Sequence, residues 1–294
     1  MRRIVVTGAN KGIGLAIAAA ILEEHADSVV LLGARSVERG RAALESLTQQ
    51  RPAWAERSSV LELDVTSDAS VGRAVAEVAE RFGRSPAPLY GLVNNAGVGG
   101  SRGLAATLAV NTQGVRRACE AFLPLLDPAA GRIVTLTSAA GPSYVSRCSP
   151  ERQRFFLERS VTWQALEALM AECLAIEGDE AEFTARGLGN GEAYGLSKAC
   201  ANSYTLLLAR EHPNLRINAC TPGFIETDMT RGYAASQGKT PAELGMKSPA
   251  AGARAAMFLL FGEPEGNGRY YGSDAQRSPL DRYRSPGDPP YTGE

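Results

Sequence analysis

Tyr194 and Lys198 stand four apart in Tyr194-Gly-Leu-Ser-Lys198, a spacing that places both on one face of a helix. An ammonium held near a phenol favours the phenolate. Free tyrosine titrates near ~10, so a neighbouring cation is the simplest way to make it an acid or base near neutral pH. The same spacing also occurs on solvated helix surfaces, so the chemistry depends on what the rest of the chain brings to this pair. Asn111 and Ser138 come before it. Both types can hold a reacting oxygen or a water, and both can instead serve the local backbone, Ser138 as a turn cap and Asn111 inside a helix.

The elements that must position these four residues are legible as short apolar runs alternating with longer amphipathic stretches. Strands are expected near residues 4–6, 29–32, 60–63, 89–93, 133–136, 215–219 and 269–271. Helices are expected through Ile21, over 37–50 and 68–81, through Asn111 to about Leu126, around Tyr194–Lys198, and over 249–260. Strands apolar on both faces and alternating with helices imply a parallel sheet covered on both sides. The expected fold is α/β, one doubly wound parallel sheet, with the ligand cleft at the carboxyl ends of its strands. Gly8, Asp64, Asn94 and Ser138 all fall at those ends.

Gly8-Ala9-Asn10-Lys11-Gly12-Ile13-Gly14 follows the first strand and opens a helix. Gly8 permits a tight turn, Gly12 a close approach of backbone to a pyrophosphate, and Gly14 close helix–strand packing. The free N–H groups of the helix N-terminus then face the phosphates. At the end of the second strand, Leu32-Gly33-Ala34-Arg35-Ser36-Val37-Glu38-Arg39 has no acidic residue before Glu38. An acidic residue there selects a ribose hydroxyl, whereas arginine accommodates a 2′-phosphate. Arg35 and Arg39 flank that position, with Lys11 as a third cation, so the expected cofactor is NADP(H). Arg39 is also compatible with simple decoration of a helix.

Thr7-Gly8-Ala-Asn-Lys-Gly-Ile-Gly14, Asp64-Val65, Asn94-Asn95-Ala96-Gly97, Asn111, Ser138, Tyr194-x-x-x-Lys198 and Pro222-Gly223 together resemble the short-chain dehydrogenase/reductases, in that family's order and over about residues 3–272. Asn10-Lys11, Ala34-Arg35 with Arg39-Gly40, and Asn218 to Met229 are similar, more narrowly, to the monomeric carbonyl reductases. The resemblance implies that Tyr194 is a general acid, that Lys198 binds the nicotinamide ribose, that Ser138 holds the substrate oxygen, and that Asn111 anchors a relay water. It further implies that Asp64 and Val65 border the adenine, and that Asn94, Ala96 and Gly97 line the ribose side. Pro222, Gly223 and Thr227 would close over the carboxamide. The implied activity is NADPH-dependent reduction of a small-molecule ketone or aldehyde. The alternatives are the reverse alcohol oxidation, reduction of a conjugated enone, and a non-catalytic NADP(H)-binding sensor.

Two segments depart from the common pattern. Residues 139–193 separate Ser138 from Tyr194, far more than an ordinary loop. Trp163, Leu166, Leu169, Met170, Cys173 and Leu174 recur there at helical spacing, with Gly178 as a stop. An amphipathic helix on the body is expected, with Tyr144, Phe155, Phe156 and Trp163 as further walls for the substrate. By resemblance the insertion blocks oligomer contacts, so a monomer is expected. Residues 273–294 carry four prolines and few apolar residues, and a loosely ordered tail beyond a single 1–272 domain is expected, which Tyr283 and Tyr291 could pin to the surface.

Bulk properties exclude other classes. A net charge of -1 with scattered cations gives no stripe for nucleic acid or an anionic membrane. There is no run of about 18 apolar residues that would span a membrane. Met1-Arg-Arg opens like a signal peptide, but the apolar run stops at Thr7. Five dispersed cysteines and two histidines make no metal constellation and fit a reducing cytoplasm. One thiol could be reactive, although buried bystanders are the expectation.

Overall fold

The computed structural model describes residues 1–293. Seven strands make its sheet: β1 (Arg2–Thr7), β2 (Ser28–Ala34), β3 (Ser58–Glu62), β4 (Leu89–Asn94), β5 (Arg132–Leu136), β6 (Arg216–Cys220) and β7 (Tyr270–Tyr271). Their order is β3-β2-β1-β4-β5-β6-β7, and every neighbouring pair is parallel. The chain winds outward from β1 in both directions, so the order reverses between β1 and β4. A parallel sheet opens a crevice at such a switch point, at the carboxyl ends of its strands. The register keeps those ends level, with Thr7 opposite Gly33, Asn94 opposite Thr135 and Leu136 opposite Cys220.

Pleating sends alternate residues to opposite faces, and both faces are buried. Val5, Leu31, Leu61, Leu92, Ile133 and Ile217 pack under the helices Asp68–Phe82 and Ala193–Glu211. Ile4, Val6, Val30, Leu32, Val93 and Val134 pack under Gly12–Glu24 and Pro249–Phe261. The whole is one α/β domain, a doubly wound sheet as the alternating pattern implied.

The insertion holds four helices rather than one: Ala140–Val145, Pro150–Leu157, Trp163–Ala175 and Glu180–Ala185. Ser149, Thr162 and Asp179 cap the last three, each accepting a backbone N–H of the first turn. Trp163, Leu166, Leu169, Met170 and Cys173 are buried as the spacing required, whereas Leu174 is turned to solvent. Tyr144, Phe156 and Trp163 do not wall a substrate pocket. They are buried core: the Tyr144 hydroxyl donates to Leu188 O at 2.7 Å, Phe156 meets Tyr144 edge-on, and Trp163 meets Tyr204 edge-on. Phe155 packs edge-on against Phe156 from the same side. The apolar run of aromatics was legible; which side of the insertion they face was set by the helix beneath it.

The described part of the tail, up to Gly293, is folded onto the body rather than loose, and Glu294 lies outside the described residues. Arg284 organises it. Its guanidinium donates to both carboxylate oxygens of Asp274, to the Ser278 hydroxyl, and to the carbonyls of Asp288 and Pro289. With that side chain only 6% exposed, the fork is saturated by protein. Tyr291 is held under Arg277 and Arg282, while Tyr283 stays exposed.

Candidate active site

The helix Ala193–Glu211 starts without a Ser, Thr, Asp or Asn cap. Glu192 takes that role, its two carboxylate oxygens accepting the N–H of Tyr194 at 2.9 Å and of Gly195 at 2.7 Å. Tyr194 is thereby fixed in the first turn, and Lys198 follows one turn later on the same face, its ammonium 5.7 Å from the Tyr194 ring centroid. The ammonium donates to Leu136 O at 3.0 Å, at the carboxyl end of β5. Ser138, two residues further on, accepts the Ala140 N–H at 3.2 Å and so does cap the following turn. Its hydroxyl also lies against the Tyr194 phenol.

Asn111 is fully buried in a single π-turn, Ala109–Gln113, between the helices Leu104–Leu108 and Gly114–Phe122. Such wide turns displace a side chain from the regular helical row. Asn111 exchanges two 2.9 Å hydrogen bonds with the backbone of Val98, and its Nδ2 also donates to Ser197 Oγ at 3.0 Å. Thr112 Oγ1 donates to Ser197 O at 2.9 Å, and Ser197 Oγ donates to Tyr194 O at 2.8 Å. Ser197 therefore ties the Asn111 turn to the Tyr194 turn. The sequence reading missed it, although its place beside Lys198 in a buried helix was a signal. Gly97 marks the convergence: a Cβ there would lie 3.3 Å from Asn111 Oδ1 and 3.5 Å from Lys198 Nζ.

Burial sets the titration of the pair. It pushes Lys198 down from 10.5 to about 8. Burial also raises the Tyr194 phenol, the Ser138 hydrogen bond opposes that rise, and the Glu192 carboxylate adds to it. The sequence expectation was a phenol lowered by Lys198. Withdrawal from water dominates the phenol instead, and the group that opposes it is Ser138 rather than Lys198, whose ammonium donates to Leu136 O.

The glycine turn has the backbone its residues required. Gly8 has φ +64, and a Cβ there would come within 2.9 Å of Ala96 Cα. A Cβ at Gly14 would sit 2.4 Å from Asn95 Nδ2, which donates to Thr7 O and Gly8 O. Thr7 Oγ1 accepts from Asn95 N and Ala96 N, so the ends of β1 and β4 are locked together. No side chain caps the helix Gly12–Glu24, which leaves its first N–H groups to the cleft. Asn10 and Ile13 are half-buried in this turn, Ile13 against the core that faces Pro249–Phe261.

Arg35 is exposed just past the end of β2 and Arg39 in the first turn of the helix Val37–Gln50, and neither makes an ion pair among the described residues. An uncapped helix end and a glycine turn fit the pyrophosphate of a dinucleotide, with two exposed guanidiniums nearby. Asp64 accepts from the N–H and hydroxyl of Thr66. Burial would raise it, but those bonds, with Arg35 and Arg117, hold it below the usual carboxylate range. It does not cap the next helix; Ser67 does. Pro222 and Gly223 follow β6, Gly223 with φ +90 against Ser273, and Thr227 caps the helix Asp228–Ser236 in a box with Thr230.

Three of the expected cofactor residues have their side chains engaged by protein. The Asn94 side chain turns into the core and donates to Cys119 Sγ at 3.1 Å. Val65 is buried against Gly114. Lys11 points away from Arg35, across the cleft, to Asp228.

Residues 2–150 match the family model described as short chain dehydrogenase. The chain belongs to the short-chain dehydrogenases. It is 32% identical over 260 residues to a (+)-neomenthol dehydrogenase of Arabidopsis thaliana, covering 78% of this chain and 84% of that protein. It is 31% identical over 284 residues to human carbonyl reductase [NADPH] 1, covering 90% and 92%. Among solved structures, salutaridine reductase from Papaver somniferum superposes with a TM-score of 0.77 at 25% identity, over 92% of this chain and 99% of that one. Membership in this family makes the protein an oxidoreductase that works with a nicotinamide cofactor. No described helix is long and apolar enough to cross a membrane, and no described cluster of His, Cys, Asp or Glu could hold a metal.

Proposed function

We propose that this protein reduces a ketone or aldehyde to an alcohol with NADPH. The observation that carries the reading is the convergence of Asn111 Oδ1 and Lys198 Nζ beside Gly97, with Tyr194 and Ser138 at the same carboxyl edge of the sheet. A bound NADPH supplies the hydride. Ser138 orients the substrate oxygen toward Tyr194, whose hydroxyl gives its proton to that oxygen. The Lys198 ammonium stabilises the phenolate that remains. Held near 8 by burial, Lys198 exchanges protons readily at neutral pH and can return one to Tyr194. Asn111, fixed by Val98 and Ser197, holds a water from which Lys198 is reprotonated.

Arg35 and Arg39 select the 2′-phosphate, supported by their exposure and the lack of an ion pair at either among the described residues. The substrate carries its carbonyl on an apolar skeleton. Phe224, Met229 and Tyr233 are exposed beside the site, with Met229 Cγ 3.5 Å from a Cβ built at Gly99. The similarity to a (+)-neomenthol dehydrogenase and to an NADPH carbonyl reductase supports the same class.

The chain works as a monomer. Fifteen consecutive residues of its Tyr194 helix, Gly195 to Ala209, are buried because the insertion covers the outer face. Sedimentation as a single 31.1 kDa species at micromolar concentration is the expected result. Its five unpaired thiols support a reducing, cytosolic setting.

The test is NADPH oxidation against a panel of quinones, aromatic aldehydes, cyclic ketones and enones. Tyr194→Phe is expected to cut turnover by at least about 10²-fold while still binding NADPH. Undiminished turnover in that variant would overturn the mechanism. Tight NADPH binding without turnover on any carbonyl would point to a sensor.

A further inference from the structure

Lys11 and Asp228 are 217 positions apart and meet across the cleft, Nζ to Oδ2, at 2.6 Å. Lys11 belongs to the glycine turn. Asp228 is the first residue of the helix Asp228–Ser236, whose capping Thr227 rests on that turn: a Cβ at Gly12 would lie 3.6 Å from Thr227 Cγ2. The two side chains are 61% and 58% exposed, so a competing anion has access to the ammonium.

The two partners are not equally dependent on the contact. Arg231 holds the other oxygen of Asp228 at 3.1 Å and Glu226 at 2.9 Å, so the helix keeps its own ion pairs when Lys11 leaves. Lys11 has no other carboxylate among the described residues. It sits on a flexible four-carbon stem. The Ala9 N–H donates to Gly33 O at 2.9 Å, so its turn lies beside the end of β2, where Arg35 stands.

We infer that Asp228 tunes cofactor discrimination by holding Lys11 on the nicotinamide side of the cleft, in competition with the 2′-phosphate of the dinucleotide. The inference rests on the NADP(H) reading above. A dinucleotide with a 2′-phosphate draws Lys11 toward Arg35 and Arg39 and releases Asp228. One with a 2′-hydroxyl leaves the pair intact. Asp228 is thus a positioning residue for Lys11 and weakens NADP(H) binding selectively.

An exposed pair of this kind limits the effect to about fivefold in a dissociation constant. The experiment is calorimetric titration of the whole chain with NADP⁺ and with NAD⁺, which reads binding without turnover. Asp228→Asn is expected to tighten NADP⁺ about threefold to fivefold and to leave NAD⁺ within about twofold, with the gain shrinking at high salt. In a Lys11→Gln background the same substitution is expected to change neither ligand. Equal weakening of both ligands, no change in either, or the same tightening without Lys11 would overturn the inference while leaving the NADP(H) reading intact. A wild-type chain that binds NAD⁺ more tightly than NADP⁺ would overturn that reading, and this inference with it. Unchanged thermal unfolding of both variants confirms that the comparison reports the pair and not the fold.

Discussion

Lys198 gives the most direct quantitative check on the site. Burial lowers its pKa from 10.5 to about 8, with a single backbone acceptor, Leu136 O, in place of water. At about 1.36 kcal/mol per unit, the folded state disfavours the ammonium by about 3 kcal/mol. Lys198→Met keeps the length and removes the charge. It recovers most of that penalty and loses one hydrogen bond of about 1 kcal/mol. The variant is therefore expected to be more stable than wild type by about 2 kcal/mol near neutral pH, or roughly 4 °C in midpoint, and to be inactive. The sign with pH follows from proton uptake. Below pH 8 Lys198 is protonated in both states and the penalty is complete. Between about 8 and 10.5 the folded state has released the proton and the unfolded state still binds it, so wild-type stability gains on the variant as pH rises. The advantage of Lys198→Met should fall by about 2 kcal/mol between pH 8 and pH 9.5. Buried phenols and thiols titrate in the same range in the opposite sense, but they are common to both proteins and cancel in the difference. Urea unfolding of both proteins across that range is the assay. A variant less stable at pH 7, or a stability difference flat across the window, would refute the account of a strained, desolvated ammonium.

Three further outcomes are expected. Arg284→Met leaves the Asp274 carboxylate, the Ser278 hydroxyl and two carbonyls without their donor; breaking such a buried pair should cost about 3 kcal/mol in urea unfolding, and a change under about 0.5 kcal/mol would mean the tail is not docked. Gly195→Ala puts a Cβ 2.6 Å from Glu192 Oε2 and 2.9 Å from Ala140 O, so the cap must shift and Tyr194 with it; turnover should fall about 10²-fold with the cofactor still bound, and near-normal turnover would show that the cap does not position the phenol. Cys119, Cys173 and Cys220 are pushed up to about 12 and Cys148 to about 11 by burial, so the native protein should resist a thiol reagent at neutral pH and expose five thiols on unfolding; a fast-reacting native thiol would contradict the packing.

The sheet was legible because strands buried on both faces read as unbroken apolar runs, and Ile4-Val5-Val6 and Ile133-Val134 could hardly be anything else. The glycine turn was legible because Gly8 and Gly14 occupy places where any side chain would collide. The Tyr194–Lys198 pairing on one face follows from helical geometry alone. What the sequence could not supply was direction. Nothing local distinguishes an Asn94 that faces the cleft from one that turns to Cys119, or a Lys11 beside Arg35 from one paired with an aspartate 217 residues away. The Ser197 bridge to the Asn111 turn depends on two helices meeting at one distance. The tail misled because its composition lacks apolar residues, while its order comes from one guanidinium satisfied by five acceptor contacts. The chain's own periodicity thus determined the elements, their alternation and the residue types at the strand ends. Only the tertiary structure decided where the polar side chains point and how they titrate, because both depend on burial and on partners distant in sequence.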